Sequence, residues 1–137
     1  LMQDLQKKLG MAIIMVTHDL GVIADMCDEI IVMYGGRVCE RGTAEDIFYR
    51  PAHEYTKGLL ASIPNVDRMG EKLTPIPGTP INLLNMPKGC AFCPRCENAM
   101  KICIEQVPPE MPDGHFASCW LNVKAEMEAQ QGGGKNE

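Results

Sequence analysis

The sequence predicts an α/β fold followed by a small, loop-rich segment that is dense in cysteine. Apolar patterns with helical and strand periods alternate up to about residue 63. Nine of the ten prolines lie at or beyond Pro64, and five of the seven cysteines lie between Cys90 and Cys119. A segment with so little apolar periodicity rarely builds a sizeable core, so we expect that a cross-link stabilises it.

The first residues predict a helix, a strand and a second helix. Leucines recur at every fourth position over residues 1–9 and Gly10 follows them, which indicates a helix with a glycine stop. Residues 11–17 form a continuous apolar run, which is typical of a buried strand in a parallel sheet. Residues 19–27 carry apolar side chains at helical spacing and predict a second, short helix.

A hairpin and two further helices are predicted next. Residues 29–34 and 37–41 predict two short strands around a Gly-Gly turn. Thr43 is a good N-cap for a helix that must end before Pro51. Residues 53–63 have one apolar face and predict another helix, which the following proline ends.

The remaining composition bounds the class of protein. Residues 65–88 contain four prolines and predict an extended linker, and the polar residues 124–137 predict disorder. A net charge of −5 offers no basic footprint for nucleic acid. No apolar window approaches the roughly 18 residues that span a bilayer, and no secretory start is present. We therefore expect an intracellular chain whose cysteines do not form structural disulfides.

A single histidine follows the predicted strand of residues 11–17. In open α/β sheets, ligands bind beyond the carboxyl ends of strands, and an imidazole there can hydrogen-bond a phosphate oxygen. This residue is His18. A histidine at a strand end is more often structural, so the pattern alone leaves both interpretations open.

The cysteines of the C-terminal segment have the spacing of a ligand set. Gaps of five, six and fifteen residues separate Cys90, Cys96, Cys103 and Cys119. Cys93 completes a C-x2-C-x2-C pattern, which somewhat favours an iron–sulfur cluster over tetrahedral zinc. Free thiols are the third alternative. Cys27 and Cys39 lie in the helix and strand region and are expected to be small buried apolar residues.

The first third of the chain resembles the C-terminal end of a P-loop ABC ATPase domain. The resemblance lies in residues 14–20, 24–33 and 36–42. It implies that His18 is the switch histidine, which contacts the γ-phosphate of ATP and helps to hold the attacking water. It also implies ATP and Mg as cofactors of the full-length parent. The sequence contains no G-x-x-x-x-G-K-[ST] loop, so we expect that this chain alone neither binds ATP tightly nor hydrolyses it.

Most of residues 51–120 resembles the extension that follows the ATPase domain in the oligopeptide and dipeptide importer branch, which includes nickel importers. The resemblance is carried by residues 51–64 and 76–90 and by the cysteine pattern up to Trp120. Some members hold a [4Fe–4S] cluster in this extension, with zinc as the alternative metal here. The implied ligands are Cys90, Cys96, Cys103 and Cys119. Cys93 falls at a variable position and is a spare thiol or a replacement ligand, and His115 is a candidate fifth ligand or a hydrogen-bond donor to the ligands.

The two resemblances imply a division of the chain and a function. Residues 1–50 would end the ATPase domain, residues 51–88 would form a helix and a proline-rich linker, residues 89–121 the cysteine module, and residues 122–137 a disordered tail. We expect the ATP-hydrolysing component of an importer for oligopeptides or dipeptides, located peripherally at the cytoplasmic face of the cell membrane. Its expected partners are permease subunits, a second ATPase subunit and, indirectly, a peptide-binding protein. The alternative is a freestanding iron–sulfur or zinc module without ATPase activity.

Overall fold

The computed structural model describes residues 1–64, 72–109 and 114–132. The helices in these ranges are α1 (Met2–Leu9), α2 (Leu20–Met26), α3 (Ala44–Tyr49), α4 (Glu54–Ala61), α5 (Lys101–Glu105) and α6 (Trp120–Gly132). The strands are β1 (Glu29–Tyr34), β2 (Arg37–Thr43) and β3 (Phe116–Ala117), and a 3-10 turn covers Cys93–Arg95. In the described part of the chain, no helix combines the length and the apolar character that a membrane crossing requires.

The sheet has three antiparallel strands in the order β1-β2-β3. Gly35 and Gly36 join β1 to β2 with φ values of 57° and 74°, which is the left-handed conformation that the predicted hairpin turn needs. The predicted hairpin is therefore confirmed, with β2 two residues longer than expected. Strand β3 was not predicted, because it has only two residues and pairs with β2 across more than seventy positions of sequence.

A β-bulge in β2 turns two consecutive side chains toward the interior. Val32 pairs with Glu40 and Met33 pairs with Val38, so Cys39 is the extra residue of the bulge. As a result Cys39 and Glu40 are both buried, with exposures of 5% and 0%. The buried carboxylate lies near the C-terminal segment because β3 adds to β2 at this position.

The three predicted helices downstream of the run at 11–17 are confirmed. Asp19 caps α2 by accepting hydrogen bonds from the N–H groups of the second and third residues that follow it. Thr43 and Asp46 form a reciprocal capping box at the start of α3. His53 caps α4, where its imidazole accepts a hydrogen bond from the N–H of Tyr55.

The predicted buried strand over residues 11–17 is wrong for this structure. These residues form neither strand nor helix, and Ile14 and Val16 are 94% and 96% exposed. A strand in a parallel sheet needs hydrogen-bonding neighbours and helices over both of its faces. No described segment of the chain pairs with residues 11–17, so their apolar side chains have no surface to cover them.

Among residues 1–64, 72–109 and 114–132, the core consists of two clusters on the inner face of the sheet. One cluster contains Ile30, Val32 and Ile47, with α2, α3 and α4 packed against it. The other is aromatic: the ring of Phe92 lies 5.3 Å from the rings of both Tyr34 and Tyr55, measured between centroids. Aromatic pairs at such distances stabilise a core beyond their burial alone. The second cluster joins the sheet to the cysteine segment.

The linker and the tail differ partly from expectation. Residues 72–88 form no helix or strand, as expected, but Ile76, Ile81 and Met86 pack on the aromatic cluster. Residues 65–71 lie outside the described residues. Disorder from Lys124 onward is wrong up to Gly132, because α6 extends through this region with Val123 buried at its base. Its remaining residues are good helix formers, and residues 133–137 lie outside the described residues.

The predicted fold class is therefore supported in its coarse form. The structure is a small α/β arrangement with an antiparallel three-stranded sheet. The expectation of a metal-stapled extension stays a prediction, as does the division of the chain at residues 50, 88 and 121.

Candidate functional site

His18 lies in the turn that leads into α2. Its side chain is exposed, and the next residue, Asp19, is the N-cap of the helix. The turn is held by a hydrogen bond of 3.0 Å from the N–H of Asp19 to the hydroxyl of Thr17. The exposed imidazole is therefore accessible from solvent. The structure does not bring His18 to the cysteine residues.

The five cysteines of the C-terminal segment share the wall of one pocket. They enter it from the loop before α5, from α5 itself and from the residue that precedes α6. The thiols are those of Cys90, Cys93, Cys96, Cys103 and Cys119. The predicted ligand set is therefore spatially convergent, although it spans thirty positions of sequence.

A close backbone approach joins the segments that carry two of these cysteines, Cys90 and Cys103. The N–H of Cys90 donates to the carbonyl of Cys103 at 2.8 Å. A Cβ atom on Gly89 would lie 2.1 Å from that same carbonyl oxygen, so only glycine allows the two segments to come this close. The carbonyl of Gly89 accepts a hydrogen bond of 2.8 Å from Arg37 in β2, which anchors the approach to the sheet.

The environment of the pocket raises the pKa of several of its thiols. Burial raises the pKa of Cys96 to about 11, and the neighbouring Glu54, Cys119 and Cys90 add to the rise. Burial also raises the pKa of Cys90 and of Cys119, and each has a further thiol beside it that acts in the same direction. Thiols that repel one another as thiolates can ionise together when a cation offsets their charge.

The thiols of the pocket lie near one another, but they are not arranged as the ligands of a metal ion. In the described part of the chain, no three side chains of His, Cys, Asp or Glu are arranged as a group that holds a metal ion. The cysteines are free, with no disulfide among the seven. The pocket thus has the donors that a thiolate-bound metal would use, without ligating distances between them.

His115 faces a carboxylate and not the thiols. Its Nε2 lies 2.6 Å from Oε1 of the buried Glu40, and its Nδ1 lies 4.0 Å from Asp46. The expectation that His115 is a fifth ligand, or donates a hydrogen bond to the ligands, is not met in this arrangement. The imidazole of His115 lies beside Glu40 because the short strand β3, which directly follows His115, pairs with β2 at this position.

Glu40 binds three groups from two other parts of the chain. Besides His115, its carboxylate accepts hydrogen bonds from the N–H of Ala52 at 2.7 Å and from the N–H of His53 at 2.9 Å. A carboxylate buried to 0% exposure is tolerated because charge-assisted hydrogen bonds satisfy it. The residues that immediately precede α4 are thereby fixed to the sheet.

Sequence reasoning missed Glu40, His53 and Glu54. His53 and Glu54 line the thiol pocket although they lie more than thirty-five positions before its first cysteine. His53 was interpreted only as the start of a helix, and Glu40 only as a strand residue. The sequence carries no signal for the burial of Glu40, because a glutamate between Cys39 and Arg41 is typical of an exposed position in a strand.

Arg95, which lies between Cys93 and Cys96, makes structural contacts with the linker and with β1. Its guanidinium donates to the carbonyls of Ile76 and Pro77 at 3.2 and 2.8 Å and to the hydroxyl of Tyr34 at 3.3 Å. It also lies over the Tyr34 ring, 5.9 Å from the centroid. Arg95 thus ties the linker and the cysteine segment to the end of β1.

Comparison with known proteins shows what this part of the chain is similar to. Residues 39–103 match the family model described as "Oligopeptide/dipeptide transporter, C-terminal region". This match covers β2 from Cys39 onward, α3, α4, the linker and four of the five cysteines that line the pocket. Residues 39–103 are therefore similar to the C-terminal region of these transporters.

The particular relatives are ATP-binding proteins of peptide transporters. The oligopeptide transport ATP-binding protein OppD of Haemophilus influenzae is 48% identical over 90% of this chain and 39% of its own length. The dipeptide transport ATP-binding protein DppD of Bacillus subtilis is 45% identical over 99% of the chain and 42% of its own length. OppD of Bacillus subtilis is 53% identical over 88% of the chain and 35% of its own length.

These findings confirm the resemblance that the motifs carry. The chain is a homologue of oligopeptide and dipeptide transport ATP-binding proteins, and it spans about two fifths of the length of these relatives. The similarity covers nearly the whole chain, so it extends beyond the cysteine segment to the region around His18.

Proposed function

We propose that the chain is the C-terminal part of the ATP-binding, ATP-hydrolysing subunit of an ABC importer for oligopeptides or dipeptides. The observation that carries the proposal is similarity of 45–53% identity over 88–99% of the chain to proteins described as transport ATP-binding proteins. ATP and Mg are the cofactors of the full-length protein. The freestanding metal module is less favoured, because the similarity is not confined to the cysteine segment.

His18 is the residue of this chain that we assign to the nucleotide. Its exposed imidazole stands at the turn before α2, where it can donate a hydrogen bond to a phosphate oxygen. In the proposed role it contacts the γ-phosphate of ATP and helps to orient the attacking water. Such preorganised donors stabilise charge that develops on the transferred phosphoryl group.

The cysteine pocket is the proposed site of a thiolate-bound metal. The donor set fits: thiolates are the ligands of iron–sulfur clusters and of structural zinc, and five of these thiols line one pocket. We assign the ligand roles to Cys90, Cys96, Cys103 and Cys119, with Cys93 as a spare thiol or a replacement ligand. A [4Fe–4S] cluster is favoured over zinc by the C-x2-C-x2-C spacing. The metal would be structural, holding a segment with few apolar residues together.

Partners and location follow from the proposed activity. The full-length protein would dock peripherally on membrane permease subunits at the cytoplasmic face and pair with a second ATPase subunit. A peptide-binding protein would deliver the substrate to the permeases. No role with nucleic acid is proposed, because the net charge of −5 would repel a phosphate backbone.

The importer proposal is tested by transport. The full-length protein is reconstituted with its permease and partner ATPase subunits in lipid vesicles, and uptake of a labelled peptide is measured with ATP and with a non-hydrolysable analogue. The proposal expects uptake that requires ATP hydrolysis. ATP turnover with no peptide accumulation for any of a panel of di- to pentapeptides would refute the substrate class.

The metal proposal is tested on the chain after anaerobic purification, by its absorption spectrum and by metal and sulfide analysis. A cluster gives a brown sample with a broad band near roughly 400 nm and bound iron and sulfide. A colourless sample with stoichiometric zinc would correct the metal and keep the ligands. A sample free of both metals, which also takes up neither on anaerobic reconstitution, would refute the site.

A further inference from the structure

We propose that His53, a residue outside the cysteine pattern, is a positioning residue of the thiol pocket. Its imidazole forms a wall of the pocket, and its backbone joins that wall to the buried carboxylate of Glu40. This inference rests on the proposed metal site. The evidence for it, however, is the arrangement of residues around the thiols, which does not require a bound metal.

The imidazole of His53 is fixed on several sides. Its side chain is buried, with 2% exposure, and its ring lies 6.1 Å from that of Phe92, measured between centroids. Both residues line the pocket. The Nδ1 atom accepts the N–H of Tyr55 at 3.0 Å, so the ring proton of the neutral imidazole resides on Nε2. Burial lowers the pKa of His53, which keeps the ring neutral despite the nearby Glu40.

The surroundings of the ring include the residue before Cys119. Burial lowers the pKa of His53, and the backbone of Ser118 acts in the opposite direction. The N–H of Ser118 donates to the carbonyl of Cys39 at 2.7 Å. Ser118 therefore links the surroundings of His53 to β2 and to the segment that holds Cys119.

The residues on both sides of His53 reach the two halves of the pocket. The carbonyl of Ala52 accepts a hydrogen bond of 3.1 Å from Asn122, three residues after Cys119. The carboxylate of Glu54 accepts one of 2.8 Å from Asn98, two residues after Cys96. Residues 52–54 thus bridge segments that are more than twenty positions apart. Since Glu40 in β2 accepts hydrogen bonds from the N–H groups of Ala52 and His53, the bridge is anchored to the sheet.

The contacts of residues 52–54 would orient the thiols of the pocket. Neighbours that hydrogen-bond around a metal site orient its ligands, and removing such a neighbour weakens metal affinity by about 10- to 100-fold. A substitution at His53 should therefore change the reactivity and the metal affinity of the thiols, although it replaces none of the cysteines. If His53 only caps α4, the substitution should change the stability of that helix and leave the reactivity of the thiols unchanged.

The test uses His53→Asn, which separates the two roles. Asparagine is a strong N-cap and keeps the hydrogen bond to Tyr55, but its short side chain cannot form the wall. Asp19→Asn is the matched control, because it exchanges the N-cap of α2, away from the pocket. His53→Ala removes both roles. Circular dichroism and urea unfolding establish that each variant is folded before the thiols are measured.

Two readouts are taken on each folded variant. In the reduced, metal-free chain, the rate at which the pocket thiols react with a disulfide reagent should rise at least about fivefold in His53→Asn and stay unchanged in Asp19→Asn. In a cobalt(II) titration, affinity should fall about tenfold in His53→Asn, with a shifted thiolate-to-cobalt charge-transfer band. His53→Asn with wild-type thiol rates overturns the inference. A wild-type chain that binds no metal refutes the metal proposal alone, because the thiol rates still decide the role of His53.

Discussion

Replacing Glu40 with glutamine should destabilise the chain more than any other single-atom exchange on the sheet. The carboxylate has no exposure and accepts three hydrogen bonds of 2.6 to 2.9 Å. The amide that replaces it has one acceptor oxygen, and its NH2 group would face a backbone N–H that has no other partner. A buried donor left without an acceptor costs about 1–3 kcal/mol, and the hydrogen bonds that remain lose their charge assistance.

We therefore expect Glu40→Gln to lower the free energy of unfolding by about 2–4 kcal/mol, a large part of the stability of a small domain. The assay is urea unfolding followed by circular dichroism, with the free energy extrapolated linearly to water. Glu29→Gln is the control, since that side chain is 62% exposed and pairs with the exposed Arg41 at 3.3 Å. An exposed pair contributes about 0–1 kcal/mol. Equal effects of the two substitutions would show that the buried network does not hold the segments together.

Three further outcomes are expected. Gly89→Ala should destabilise the chain by about 3 kcal/mol in the same assay, because its Cβ would lie 2.1 Å from the carbonyl oxygen of Cys103. Arg95→Lys should cost about 1–2 kcal/mol, since lysine cannot bind two carbonyls and the Tyr34 hydroxyl together; an unchanged urea midpoint would contradict this. Cys39 should resist alkylation at pH 8 in the folded chain and react in urea, because burial raises its pKa to about 12; mass spectrometry of the labelled peptide decides it.

Local chemistry made most of the secondary structure predictable. The Gly-Gly turn and the Thr43 cap each act through their own or adjacent residues, so the hairpin and α3 followed from the sequence. The tail was misjudged, because its polarity was weighed above its content of good helix formers. The run at 11–17 was predicted as a buried strand, which depends on neighbours that the described residues do not supply.

The features of the candidate site that the sequence did not predict depend on long-range contacts. The spacing of the cysteines predicted a convergent group, and they do line one pocket. It could not show that a bulge at Cys39 turns Glu40 inward, nor that His115 would bind this carboxylate. Two-residue strands such as β3 carry no periodicity, so the pairing that directs His115 toward Glu40 left no pattern to detect.

The role of His18 tests the central claim most directly. In the full-length protein with its partner subunits, we predict that His18→Ala lowers the turnover rate of ATP by about 100-fold while ATP binding and the fold are retained. Asp25→Ala, an exposed residue of α2, is the control and should keep wild-type turnover. ATP turnover by His18→Ala within about twofold of wild type would contradict the assignment of this chain to an ATP-hydrolysing transport subunit in which His18 contacts the γ-phosphate.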